Sequence, residues 1–562
     1  MRRSPEPDPD ARPGAVHPRP FPPGSVAWAA VALYVPEQFT VAEADVLRRY
    51  VTTLDGPVFA LVNLPEVVKG ALFARYSRSA KSLRRLFLDE FVGELDITGD
   101  ATVDATVGLR RAEELYERVF FEYGDDSVAQ LGGVHLACEQ ASNVLTKVLE
   151  WGRLASYLEQ STRYIAYDAR LGGRYRYYRD AEVLSSPLGP RYVGDLDRQF
   201  DAYSELLALV TDHVRATVPK TTGDSDFVYR QATRAKALDA VRGVLPAAAL
   251  SNVGIYGSGQ SFEHLLLRMR SLPLPEAQEY AALMLHELRK VIPSFLRRVD
   301  LPERGGAWID YLSRCRDDTA DLVSSLFPPD SAPEAVEPVT LVDWDPDAED
   351  KLLAAACYAH THLPEHQVLD RVRSLGHDDR VALLRAYVGD RTNRRHRPGR
   401  AFERVGYRFD VLSDYGAFRD LQRHRMLTIE WQRLTPRHGY VRPELVDDAG
   451  GRHRFDEAMG RSAALHDALA EPFPDQAPYA VSMAYRVRYS MQFNAREAIH
   501  LLELRSAPQG HPSYRRVAQE MHRLIAEQAG HRAVAAAMTF LSSAEPELER
   551  LDGERRLAQR RR

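Results

Sequence analysis

Apolar residues recur every three or four positions over Ala42–Leu54, Ser82–Phe91, Arg110–Phe121 and Gly133–Leu154, a period that predicts helices with one buried face. A strand-like run, VAWAAVALYV, precedes them at 26–35. Further helical stretches are expected at about 194–216, 226–243 and 261–297. Leu171–Asp180 (LGGRYRYYRD) is dense in Tyr and Arg and reads as a strand or an extended loop. Gly254–Gly259 (GIYGSG) reads as a turn, because its glycine order is not a dinucleotide fingerprint and no βαβ context surrounds it. The pattern breaks at 327–339, where FPPDSAPEAVEPV makes a proline-rich acidic linker. It then restarts: TLVDWDPDAEDKLLAAACYA repeats the strand, Pro/Asp turn and amphipathic helix seen at 26–53. That period is far too long for a solenoid repeat and marks a duplicated domain.

At 562 residues the chain has room for two or three domains, each with its own core. A hydrophobic content of 44% and a charged content of 27% are ordinary for a globular protein. The net charge of −5 argues against bulk nucleic-acid binding, which needs a broad basic excess. Cys138, Cys315 and Cys357 form neither a CxxC pair nor a disulfide framework, so a cytoplasmic location is expected. Residues 1–24 are proline-rich without an apolar centre, and read as a disordered tail rather than a signal peptide. No run of about 18 apolar residues occurs, so no membrane span is expected. Residues 551–562 form a basic tail.

Three segments carry chemistry. Arg153–Tyr164 (RLASYLEQSTRY) places Glu159, Ser161 and Arg163 close together; a hydroxyl beside a guanidinium can cradle phosphate, and a carboxylate can accept from a base or sugar. The alternative is a charged loop of local ion pairs. Arg423-His424-Arg425 follows a short apolar helix at Tyr415–Leu421, and its charge calls for an anion such as pyrophosphate, or for carboxylates such as Asp414 and Asp420. In FNAREAIHLLELR (Phe493–Arg505), residues 496, 500 and 504 or 505 share a helix face. His360, His362 and His366 (HTHLPEH) lack a supporting carboxylate or cysteine cluster and read as a polar helix end, so no metal is expected.

Laid over each other on Arg153 and Arg425, the first two segments resemble the RHRxxSxNExSxRY signature of flavin-dependent thymidylate synthases. The first keeps Arg153, Ser156, Glu159, Ser161, Arg163 and Tyr164, but has Trp151, Gly152 and Leu158 where the family has Arg, His and Asn. The second keeps Arg423, His424 and Arg425, with Thr428 in the Ser position, and loses the rest. Upstream, Gly124 and Ser127 match part of a family element in the first copy, and His396 in NRRHRPGRAFE falls at that distance in the second. Asn494, Arg496, His500 and Arg505 match the family's Asn-x-Arg helix, and Arg242-Gly-Val-Leu-Pro246 its Arg-x-x-Leu-Pro. In the first copy's helix, Arg268 and Arg270 compete for the terminal Arg position.

The resemblance implies an α+β protein of two tandem domains, 25–326 and 340–550, each a small mixed or antiparallel sheet with a majority of long helices. It implies FAD held by Arg423, His424, Arg425, Asn494, Arg496 and His500. It places dUMP against Glu159, Ser161, Arg163, Tyr164, Arg242 and Arg423, and makes Arg505 the catalytic stabiliser of charge on the uracil ring. NADPH and methylenetetrahydrofolate would be co-substrates, and a homodimer of the tandem chain would mimic the family's tetramer. Two alternatives stay open: methylation of another pyrimidine nucleotide such as UMP, and an inactive flavin- or nucleotide-binding homologue.

Overall fold

The structure, a computed structural model, describes residues 34–64, most of 68–90, 132–221, 224–327 and, apart from residue 335, 334–544. The helix expected at Arg110–Phe121, Gly124 and Ser127, both tails and nearly all of the 26–35 run lie outside the described residues.

Among the described residues, two four-stranded antiparallel sheets organise the fold. In the first, β1 (Val58–Leu61), β2 (Gly133–Ser142), β3 (Ala155–Glu159) and β4 (Leu250–Ser258) lie in the order β1-β2-β4-β3. In the second, β5 (Val339–Trp344), β6 (Gly406–Asp414), β7 (Leu427–Trp431) and β8 (Arg486–Asn494) take the order β5-β6-β8-β7. The registers agree as well: Gly133 faces Ser258 as Gly406 faces Asn494, and Ser142 faces Leu250 as Asp414 faces Arg486. Each second strand runs straight into a helix, Asn143–Leu149 or Tyr415–Leu421. Ser142 and Asp414 cap these helices by accepting from the backbone N–H of Leu145 and Ala417, groups that the first turn leaves unpaired. In this frame Lys147 corresponds to Arg419, Trp151 to Arg423, Gly152 to His424, Arg153 to Arg425, Ser156 to Thr428 and Glu159 to Trp431.

Three sequence expectations need correction. Gly133–Leu154 is not one helix: β2 occupies Gly133–Ser142 and only Asn143–Leu149 is helical. Nearly every residue of β2 is buried, which erases the two-residue alternation of a half-exposed strand. Gly254–Gly259 is not a turn, since Gly254 to Ser258 lie in β4, with Gly254 to Gly257 paired on both sides. A Cβ on Gly254 would meet the Phe73 ring at 3.0 Å, so this glycine serves close packing. The stretch 261–297 is divided at Leu272 into helices Gly259–Ser271 and Pro275–Leu288. Leu171–Asp180 is an extended loop with a bridge from Tyr177 to Ala249.

The two halves share one apolar core, to which Leu245 and Val253 contribute from the first and Val481 and Met483 from the second. Backbone pairing reinforces it. Ala247 N–H donates to Val481 O at 2.8 Å, Met483 N–H to Leu245 O at 2.9 Å and Ala484 N–H to Gly243 O at 2.8 Å. Pro246 bridges Ser482, and both residues stand four positions before the third strand of their sheet in spatial order, β4 or β8. Equivalent positions therefore meet across a pseudo-two-fold axis, as in an isologous interface. No helix among the described residues is long and apolar enough to cross a membrane.

Candidate functional site

The edge strands β3 and β7 bring the halves' polar segments together on that axis. Arg153 Nη2 donates to Thr428 Oγ1 at 2.9 Å. Reciprocally, Arg425 Nη1 donates to Ser156 Oγ at 3.2 Å and to the carbonyl of Ala155. These are equivalent residues exchanging equivalent contacts.

Beside them Glu159 is fully buried. It accepts from Arg419 at 2.7 Å and Lys147 at 3.3 Å, and lies 3.4 Å from Arg423. Burial alone would raise its carboxyl, but Arg419, Lys147 and Arg423 together hold it well below the usual carboxylate range. Lys147 also binds Glu150 at 2.6 Å, whose carboxyl burial pushes up.

One side of this hub is a nest of arginines from both halves. Arg242, buried, lies 3.4 Å from Asp420; Arg423 lies 3.3 Å from it and Arg505 3.9 Å. Burial works against the Asp420 charge, yet Arg423, Arg242, Arg505 and Arg163 keep the carboxyl ionised far below its ordinary range. Arg163 grips Asp239 with two bonds of 2.8 and 2.6 Å and donates to the Tyr514 hydroxyl at 3.0 Å. The Tyr514 ring lies under both Arg163 and Arg505. Arg163, Arg242, Arg423 and Arg505 outnumber Glu159, Asp239 and Asp420 by one, and Arg242 Nη2 is buried without a hydrogen-bond partner among the described residues. An anion offered there meets an unpaired donor and excess positive charge.

His424 is held between two elements. Arg505 Nε donates to His424 Nε2 at 2.9 Å, which leaves the proton on Nδ1 to donate to Glu497 at 2.9 Å. Burial and the neighbouring Arg505 keep the ring neutral. Glu497 is raised to about 7 by burial. His500, whose ring lies 5.4 Å from that of His424, accepts from Arg397 at 3.1 Å and is lowered to about 4 by burial and by Arg397 and Arg394. His424, Glu497 and His500 bring ligand-type atoms within 4.8 Å of one another, but both His424 nitrogens are engaged and the guanidinium charge suits an anion better than a cation. Within Arg423-His424-Arg425 the histidine is buried, Arg423 is half-buried with Asp420 as a partner, and Arg425 is exposed.

A pocket of about 180 Å³ opens next to this histidine, lined by Trp151, Arg153 and Glu150 of the first half and Gln422, His424 and Arg425 of the second. Gln422 Oε1 and Glu150 Oε1 have no partner among the described residues. Arg268 stacks on Trp151 at 3.0 Å.

The remaining candidates separate. Asn494 caps helix Ala495–Arg505 by accepting from Glu497 N–H at 2.9 Å. Arg496 bonds Pro398 O and Glu403, next to the Arg397 that donates to His500, while His500 and Arg505 both neighbour His424. Ser161 Oγ turns to its own loop and accepts from Arg163 N–H. Tyr164 lines a separate cavity of about 750 Å³ with Arg170, Arg234 and Phe227. Arg268 and Arg270 do not occupy the Arg505 position, because the strand register places Met269 there. His360, His362 and His366 are exposed. Sequence reasoning missed Lys147, Asp239, Arg419 and Tyr514 altogether: Arg419 and Tyr514 meet partners 260 and 351 positions away, and nothing in the local pattern of Lys147 or Asp239 marks it as buried against Glu159 or Arg163.

The profile of the thymidylate synthase complementing protein family matches residues 73–294 and 340–530, the two halves in turn. The chain belongs to this family, as a tandem member. Similar curated proteins include a UPF0159 protein of Chlamydia muridarum, 38% identical over 92% of this chain and 98% of the relative, and one of Chlamydia pneumoniae, 38% identical over 87% and 93%. A UPF0159 protein of Thermoplasma acidophilum is 31% identical over 86% and 97%. Among solved structures, a UMP/dUMP methylase from Streptomyces cacaoi bound with 5-Br dUMP aligns over 35% of this chain and 94% of its own, at 19% identity and a TM-score of 0.27, a likeness too slight to bear on function.

Proposed function

We propose that the chain is a flavin-dependent thymidylate synthase that assembles one composite site between its two domains and converts dUMP to dTMP. The observation that carries this reading is the convergence of Arg163 and Arg242 of one half with Arg423 and Arg505 of the other. That nest suits a nucleotide phosphate or an anionic ring. The adjacent pocket suits a flavin in its chemistry, with Arg425 and the Arg394–Arg397 cluster for the pyrophosphate and the unpartnered Gln422 and Glu150 oxygens for ring donors. Its volume falls below the roughly 300 Å³ of a typical complete ligand site, so it would hold one end of the cofactor.

In the net reaction, methylenetetrahydrofolate gives one carbon, NADPH two electrons, and dTMP, tetrahydrofolate and NADP leave. FAD, when bound, supplies the hydride chemistry; the protein binds and orients. Arg505 is positioned to stabilise negative charge on the uracil, and its bond to neutral His424 fixes the direction of the guanidinium. The test is purification followed by an absorption spectrum and a turnover assay with dUMP or UMP, methylenetetrahydrofolate and NADPH. Bound FAD with dTMP formation is expected. Turnover of UMP alone would move the reading to another pyrimidine, and a colourless, inactive protein would overturn it.

A further inference from the structure

The helix Ala307–Leu326 lies between the two family-matching segments and belongs to neither. Its first turns touch the body: Ile309 is buried, and Ser313 and Arg316 donate to the carbonyl of Ser271. From Asp317 to Phe327 every residue is exposed. One side of the whole helix is nevertheless apolar. Trp308, Tyr311, Leu312, Leu322, Val323 and Leu326 recur at helical spacing, with Cys315 and Thr319 between them on the same stripe; Leu312 is half-buried and Trp308 also meets the His264 ring, while the others are exposed. Leu322 is 60% exposed and Leu326 63%. A continuous stripe of this kind marks a contact site, whereas scattered apolar residues would need no explanation.

We propose that a second copy of this chain covers the stripe, with the two helices antiparallel about a two-fold axis near Asp317. The stripe is self-complementary in that sense. Trp308 comes opposite the partner's Leu326, Tyr311 opposite the partner's Val323, Leu312 opposite the partner's Leu322, and small Cys315 opposite the partner's Thr319. Charge agrees. Arg314 flanks the stripe in the first half of the helix, and Asp318 and Asp321 flank it on the same side in the second half. Only an antiparallel pair sets Arg314 against the partner's Asp318 and Asp321, twice by symmetry; a parallel pair would align like charges. The acidic second half also opposes docking on an anionic lipid surface.

The surface is tested by sedimentation of the full chain, independently of any nucleotide chemistry. A dimer is expected at micromolar concentration. Leu322→Asp with Leu326→Asp should raise its dissociation constant about 100-fold or more while leaving the circular dichroism unchanged, since both residues are exposed. Arg314→Asp should weaken the dimer, Asp318→Arg with Asp321→Arg should weaken it too, and the three together should restore it. A short bis-maleimide should link Cys315 to its symmetry mate, roughly 10 Å away, and Cys315→Ser should abolish the product. A wild-type chain that stays monomeric at tens of micromolar, or a dimer indifferent to Leu322→Asp and Leu326→Asp, overturns the proposal.

Discussion

Arg419 donates to Glu159 at 2.7 Å although 260 positions separate them. Arg419 and Lys147 are equivalent residues of the two repeats, so one carboxylate sits between a symmetric pair of cations. The counterpart of Glu159 is Trp431, which cannot return the interaction. The hub therefore joins the halves and breaks their symmetry at one point.

Removing that carboxylate strands buried cations. Glu159→Ala is expected to lower the unfolding free energy by about 3–5 kcal/mol, the usual cost of orphaning a buried charge. Denaturant titration reads it; a change below about 1 kcal/mol contradicts the role of the hub.

Arg163 stands in the proposed nucleotide nest and not in the pocket beside His424. Arg163→Ala should raise the dUMP dissociation constant about 10- to 100-fold, the value of one charge-assisted bond, with flavin content unchanged. Calorimetry on the flavin-loaded protein decides. Loss of flavin with normal nucleotide binding would reverse the proposed division.

Arg425 lines that pocket, tied to Ala155 and Ser156 of the other repeat. Arg425→Ala should reduce the FAD retained through purification, read as the ratio of absorbance at visible and ultraviolet wavelengths. Full retention counts against the flavin assignment.

Glu276 is raised to about 7 by burial, and accepts from Ser142 and Tyr479. The folded state thus binds a proton that the unfolded state has released above about pH 4.5, so stability falls as pH rises from about 4.5 to 7, by up to about 3 kcal/mol for this group. Glu279 and Glu497 act in the same direction. Melting temperature measured from pH 5 to 8 should decline in the wild type and decline less in Glu276→Gln. Parallel curves would show that Glu276 does not titrate there.

Much of this was legible beforehand where the signal was local. Asn494 caps the helix that its spacing predicted, and the strand and helix read at 340–359 appear as β5 and Ala348–Tyr358, although the sheet order makes β1 (Val58–Leu61), and not the 26–35 run, the counterpart of β5. The duplication itself followed from the paired signatures. Buried strands were harder: β2 shows no alternation because almost none of it faces water, and its Gln140, at φ 58°, adds a bulge that no residue type announces. Arg163, Arg423, Glu159 and Asp420 were legible in the sequence, whereas Arg419, Lys147 and Asp239 were not. Asp239 is an ordinary acidic residue until the fold sets Arg163 against it.

The pairing of Leu245 and Ala247 with Met483 and Val481 has an evolutionary consequence. In an assembly of identical subunits every substitution recurs at each symmetric place, so no pocket can specialise alone. Here the two sides of the axis are written by separate codons. Arg505 stands in one repeat where the other has Met269, and Glu159 where the other has Trp431. A duplicated chain can therefore set two unlike walls against one site, which identical subunits cannot do.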